Sequence, residues 1–197
     1  NYSGSPTIQN NTFSANSAGY GGGIYNSTGS PTIQNNTFSG NSAGYGGGIS
    51  NYSGSPTIRS NIIAGNTGSG ISGGGGVPGP RVDYNDVWNN SNGNYVGVTP
   101  GAHDISADPL FVNAMAGDFH LQPGSPCIDA GDPDNHPATD FDGDPRPMGL
   151  GVDMGAYEVR GFGVTKAGPI TAAPDETITY RLAVVNLEAS PVTNRTG

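Results

Sequence analysis

Residues 5–26 read SPTIQNNTFSANSAGYGGGIYN, and residues 30–51 read SPTIQNNTFSGNSAGYGGGISN, so the chain repeats itself at a step of 25. A third copy begins at Ser55: Pro6, Pro31 and Pro56 coincide, as do Ile8, Ile33 and Ile58, and Phe13, Phe38 and Ile63. A fixed period in this range marks a solenoid. Within one period the apolar residues are isolated, which suits a thin β rung better than a pair of helices. Thr7-Ile8-Gln9 alternates outward, inward, outward, as a strand does. Asn11-Thr12-Phe13 opens a second strand with Phe13 inward, and the glycines before Ile24 and Tyr25 open a third. The fold class read here is all-β: a right-handed parallel β-helix of about 25 residues per rung with three short strands each. Gly19 and the Ser-Thr-Gly cluster at 27–29 are the expected corners, where glycine tolerates positive φ.

The asparagines recur in register too. Asn11, Asn36 and Asn61 would stack at the strand spacing of about 4.8 Å, and Asn16, Asn41 and Asn66 form a second column. Side-chain amides stacked this way can bond one another and the turn backbone, so both columns read as structural ladders. Pro80, Val82, Asn85 and Val87 continue the columns as a fourth, altered rung, adding Asn85 to the first ladder. Trp88 then reads as a cap over the open end of the core. The helical region is thus expected over residues 1–91.

Composition fits this architecture. The chain has 34 glycines and 16 prolines, about a quarter of 197 residues, and only 33% hydrophobic residues. A solenoid tolerates that because its core is narrow and stacked. The formal charge is −9, yet residues 1–82 hold no Asp or Glu and only Arg59 and Arg81 as cations. No basic patch grips phosphate, so nucleic acid is not an expected partner. There is no apolar run long enough to span a bilayer, so membrane insertion is not expected either. Cys127 is the single cysteine, which rules out an intrachain disulfide. The chain opens at Asn1 in mid-repeat without a methionine, which reads as a processed or partial product.

The repeats, with their GGGI and NNTFSGN elements (21–24, 46–49 and 35–41), resemble the parallel β-helix repeats of bacterial surface proteins. From residue 92 the composition shifts to Asp, Pro and His. DISADPLFVN (104–113), GDFHLQPGSPCIDAGD (117–132), DFDGDPRP (140–147) and VDMGAYE (152–158) together resemble the choice-of-anchor Q domain that follows such repeats. That resemblance implies a secreted bacterial protein placed extracellularly or at the cell surface, and it brings no catalytic residues. Residues 92–160 are therefore read as an acidic β module capping the helix. The stretch GVTKAGPITAAPDETITYRLAVVNLEA (163–189) resembles the opening of an immunoglobulin-like conserved repeat domain of bacterial surface proteins, although Asp175 stands where glycine usually falls. Residues 161–197 are too few for a complete sandwich, so they read as a partial domain or a strand-exchanging tail. Ile178, Tyr180, Leu182 and Val184 alternate with polar or small residues, as in a half-buried strand able to pair with a neighbour. Two expectations stand side by side: a piece of a longer protein, or a subunit that polymerises through this strand and the open end of the helix.

Candidate chemistry is sparse. Asp140, Asp142 and Asp144, two apart in a loop, are candidate Ca²⁺ ligands; the alternative is a turn capped by the carboxylates, with Arg146 paired to Asp140 or Asp142. His103, His120 and His136 lack zinc-site spacing. Asp83 and Asp86 are the only acids of the helical part, and three apart on one strand they would face opposite sides. The chain therefore reads as non-enzymatic, without a resident cofactor. Tyr20 with Tyr45, and Tyr2 with Tyr52, form exposed columns that could stack on sugars or cover the core at the corners. Thr7, Thr32 and Thr57 form a hydroxyl row that is either a binding face or simple strand chemistry. Sequons at Asn1, Asn10, Asn26, Asn35, Asn51, Asn89 and Asn194 fit extracellular exposure. The reading is a structural or adhesive surface protein that contacts itself, other surface proteins or glycans. The alternative is a carbohydrate-binding or polysaccharide-degrading β-helix.

Overall fold

The structure is a computed structural model describing residues 1–74, 76 and 79–160, with the backbone of the strands Phe162–Ala167 and Arg181–Asn186. Its first part is a parallel β-solenoid. The first rung runs through β1 (Thr7–Gln9), β2 (Thr12–Ser14), β3 (Ser17–Tyr20) and β4 (Ile24–Asn26). The second repeats it as β5 (Thr32–Gln34), β6 (Thr37–Ser39), β7 (Ser42–Tyr45) and β8 (Ile49–Asn51). The third holds β9 (Thr57–Arg59), β10 (Ile62–Ala64) and β11 (Ile71–Gly73), and the fourth β12 (Arg81–Asp83), β13 (Asp86–Trp88) and β14 (Tyr95–Val96). Three sheets carry the wall, in the orders β1-β5-β9-β12, β13-β10-β6-β2 and β14-β11-β8-β4. A short ribbon of β3 and β7 adds a fourth face to the first two rungs. Pairing is in register at the repeat step: Ile8 meets Ile33 and Ile33 meets Ile58, and the step of 24 brings Val82 against Ile58 and Val87 against Ile63.

The core is one column from each sheet. Ile33, Ile58 and Val82 come from the first, Phe38, Ile63 and Val87 from the second, and Ile24, Ile49 and Ile71 from the third. Phe13 stacks on Phe38 with ring centroids 4.7 Å apart. Tyr95 and Val98 pack against the far end of this column. Trp88 does not cap it. Alternation along β13 turns Val87 inward and Asp86 and Trp88 outward, and Trp88 joins a second cluster outside the solenoid.

The cluster at 27–29 lies in the connection between β4 and β5 as expected, whereas Gly19 lies within β3 and the other corners turn on different residues. Between the first two sheets the chain turns on Asn10, Asn35, Ser60 and Tyr84, all at φ near +50 to +58°. At the far end of the second-sheet strands it turns on Ala15, Gly40, Gly65 and Asn89, again with positive φ. Each turning residue is followed by a ladder asparagine, which holds the left-handed turn even where the turning residue is not a glycine, as it is at Gly40 and Gly65. Asn36 Nδ2, for example, donates to Gln34 O across the corner at 2.9 Å. Gly21 and Gly46 turn the chain into the third sheet with positive φ, and other glycines are needed where rungs approach closely: a Cβ on Gly48 would lie 2.6 Å from Ile63 Cγ2.

The acidic region is a lateral strap rather than an end cap. Ile105 closes the last partial turn, exchanging backbone hydrogen bonds with Asn85 and Val87. A hairpin comes next, β15 (Phe111–Asn113) with β16 (Asp118–Leu121), joined by a single 3₁₀ turn. Residues 122–160 then lie along the outer face of the second sheet. Leu121, Cys127 and Met154 bury Ile62 and Ala64 there. Backbone and side-chain bonds stitch the strap to successive rungs: Asn10 Nδ2 to Thr139 O, Asn35 Nδ2 to Asp153 O, Gly155 N to Ser60 O, and Ala156 N to Thr37 Oγ1. β17 (Phe162–Ala167) and β18 (Arg181–Asn186) pair antiparallel with each other. Leu182 and Val184 lie on β18, whereas Ile178 and Tyr180 lie outside the described residues.

Candidate functional site

The outward residues of the third sheet form one row. Register places Tyr25 beside Ser50, Ser50 beside Ser72, and Ser72 beside Val96. On one side of this row stand Tyr20 and Tyr45, stacked with centroids 5.5 Å apart and planes within 10°. Tyr52 stands on the other. Together they enclose a groove of about 300 Å³. The three tyrosines stay 58%, 63% and 66% exposed, far from covering any core. At the floor, Ser50 and Ser72 are only 5% and 7% exposed. Neither hydroxyl has a hydrogen-bond partner among the described residues. Among the described residues, no lining side chain is charged. Sequence reasoning finds the tyrosine columns but misses the serines between them, because Tyr25, Ser50 and Ser72 break the repeat identity that makes other columns visible.

The first asparagine ladder is continuous. Nδ2 of Asn11, Asn36 and Asn61 donates to Oδ1 of Asn36, Asn61 and Asn85 at 3.1, 3.0 and 2.9 Å. Asp104 ends the series by accepting from both Nδ2 and the backbone N of Asn85. The second column runs from Asn16 through Asn41 and Asn66 to Asn90. A third ladder joins Asn1 to Asn26 to Asn51, a 25-step repeat whose sequence reading stops at the sequons. These columns occupy corners of the wall and hold their polar atoms for each other.

The carboxylates are mostly spent on backbone. Asp140 accepts from the amides of Asp142, Asp144 and Glu158. Asp142 contacts His120, and Asp144 pairs with Arg160. The three candidate calcium ligands thus take three different sets of partners, and among the described residues no three acidic, histidine or cysteine side chains gather as a metal site. Arg146 does not pair with Asp140 or Asp142. Asp140 is consumed by its turn, and the buried guanidinium of Arg146 bonds Glu158 at 2.5 Å and the carbonyls of Asp153 and Gly155.

Asp83 and Asp86 lie on two strands separated by the Tyr84 corner, not on one. Asp83 faces His103, whose hydrogen bonds outweigh the opposing effect of burial and hold the carboxyl below its usual range. Asp86 is buried, accepts from Ala107 N and Cys127 Sγ, and is pushed up to about 6 by burial. The Cys127 thiol is pushed well up by burial and by Asp86. The hollow that Asp83 lines, with Arg59, Arg81 and Asp132, does not include Asp86. His120 is gripped on both ring nitrogens, by Asp118 at 2.6 Å and Asp142 at 2.9 Å, and rests on Tyr157. A further hollow of about 320 Å³ runs along the seam between Trp88 and Leu110–Phe111; its one acid, Asp108, accepts from Leu110 N.

The family model for the right handed beta helix region matches residues 1–105, more than half of the chain. The chain belongs to the right-handed β-helix family. The match ends at Ile105, where the structure completes the last turn of the β-helix. No curated protein and no solved structure matches the chain.

Proposed function

We propose that this β-helix protein is a non-enzymatic extracellular structural and adhesive protein, and that its contact surface is the tyrosine-lined groove on the third sheet. The observation that carries the reading is the groove itself: three tyrosines, each more than half exposed, converge on a rigid sheet face, where aromatic rings serve as contact anchors. A structural role is supported by where polar groups go. Asparagine columns lock the corners, and carboxylates tie the strap. A hydrolase or lyase of the common kind would need carboxylates or basic groups converging on the ligand, and the described lining of the groove has neither. Extracellular placement is supported by the resemblance of residues 104–158 to an anchoring module; the sequon asparagines Asn26, Asn35 and Asn51 are buried in the wall and lend it no support. Among the described residues no helix is long and apolar enough to cross a membrane.

The test is co-sedimentation of the full chain with particulate cell-surface preparations, reading both bound protein and sugar released. Retention in the pellet without release of soluble sugar is expected, and the triple variant Tyr20→Ala, Tyr45→Ala, Tyr52→Ala should stay in the supernatant. Release of soluble sugar would make the protein an enzyme. Equal retention of the triple variant would move the contact surface elsewhere.

A further inference from the structure

We infer that the tyrosine-lined groove is a binding site for a neutral glycan chain lying along the axis of the solenoid. This rests on the adhesive reading above and names the chemistry of its ligand. The first support is shape. The floor runs Tyr25, Ser50, Ser72, Val96 across three successive strand spacings, so it is a trough about 14 Å long rather than a round pocket. An extended chain fits it, and its direction crosses the strands.

The second support is the pairing of aromatic walls with idle hydroxyls. A sugar ring offers an apolar face of C–H groups and a rim of hydroxyls. Tyr45 presents one ring face to its stacked neighbour Tyr20, while the next rung has no aromatic at that position, so its other face is free. Tyr52 faces it from the opposite wall. Beneath them, Ser50 and Ser72 are more than nine-tenths buried as residues, and their hydroxyls open into the groove without a protein partner among the described residues. A polar group sealed from water without a partner costs about 1–3 kcal/mol, so an occupant that covers the floor must bond both hydroxyls, as ligand hydroxyls would. A wholly apolar occupant would strand them.

The third support is charge. In a chain of net −9, residues 1–82 carry no acid, and their cations Arg59 and Arg81 sit on β9 and β12 in another sheet. Neither a uronate nor a phosphate finds a counter-charge in the groove, and a cation finds no carboxylate. Pairing of a peptide strand is disfavoured as well, because the floor is a sheet face whose strands are already paired side to side in the order β14-β11-β8-β4. A neutral, hydroxyl-rich, extended ligand remains.

The experiment uses the full chain on an array of neutral and acidic glycans, then isothermal titration calorimetry with neutral β-linked hexasaccharides and an oligogalacturonate. Binding of a neutral oligosaccharide is expected, with little response to salt. Tyr45→Ala and Tyr52→Ala should each weaken it about tenfold, and Ser72→Ala should weaken it about fivefold. All three leave the core columns untouched, so their melting temperatures should match the parent. Tighter binding of the acidic oligosaccharide, or affinity unchanged in both tyrosine variants, would overturn the inference. Retention on particles without binding to any neutral glycan would overturn it too, while leaving the adhesive reading intact. Absence of both retention and glycan binding would overturn the inference and the adhesive reading together.

Discussion

Asn61 sits mid-ladder with every polar atom engaged. Its Nδ2 donates to Asn85 Oδ1, Ile33 O and Arg59 O, while its Oδ1 accepts from the backbone N and Nδ2 of Asn36. Truncation therefore strands buried groups on two rungs at once. Asn61→Ala should destabilise the protein by about 3 kcal/mol, read as a lower urea midpoint at unchanged slope. Asn11 occupies the exposed end of the same column, so Asn11→Ala should cost less than about 1 kcal/mol. Equal costs at the two positions would mean that the column contributes no burial-dependent stability. Asn61→Asp is expected to be worse than alanine, since a buried carboxylate cannot donate to the carbonyls that the amide serves.

At the scale of elements, the strap and the fourth-rung strand β13 beneath it share a pH response. Asp86 and Asp153 are pushed up to about 6 and about 7, both first by burial, and for Asp153 next by Glu158. Both have raised folded-state values against 3.8 unfolded. Their favourable contribution is complete below that unfolded value and is lost as pH rises through the folded ones. Stability should therefore fall by roughly 4 kcal/mol between pH 5 and pH 8, about a third of it from Asp86, measured by denaturant unfolding at each pH. Asp86→Asn keeps an acceptor for Ala107 N and should remove the part of the fall centred near pH 6. A flat profile in the parent would show that these carboxylates are not held as the geometry implies. The rung strands are legible in the sequence because Ile33, Phe38 and Ile49 recur at a fixed step, and alternation fixes which residue of three points inward. The corners are not, because Asn35 and Ser60 adopt a backbone usually given to glycine only with the next asparagine bonded across them. The groove is half legible: Tyr20 and Tyr45 repeat, but Ser50 and Ser72 become a floor only through strand register. The strap's course is not legible at all, since its contacts join residues such as Thr37 and Ala156 that share no pattern.

At the scale of the whole molecule, a solenoid alone couples only neighbouring rungs, so its ends can open without its middle. The strap changes that by touching the first rung at Asn10, the second at Asn35 and Thr37, the third at Ser60 and Ile62, and the fourth at Trp88. It acts as a longitudinal staple along the second sheet, while the tyrosine groove lies on the third. Gly155 is where the staple lies closest. Its φ is +91°, and an added Cβ would meet Ile62 Cδ1 at 2.7 Å and Thr37 Oγ1 at 3.0 Å. Gly155→Val combines a backbone that valine disfavours with overpacking worth roughly 1–3 kcal/mol, and should lift the strap without touching the core columns. Amide hydrogen exchange should then accelerate at Met154, Gly155 and Ala156, whose N–H groups bond Cys127, Ser60 and Thr37. Exchange should also accelerate in β1 and β2 of the first rung, which the variant leaves chemically intact, while β9 and β10 in the third rung stay protected. Acceleration confined to residues 122–160 would show that the rungs hold one another unaided and that the strap is only a passenger.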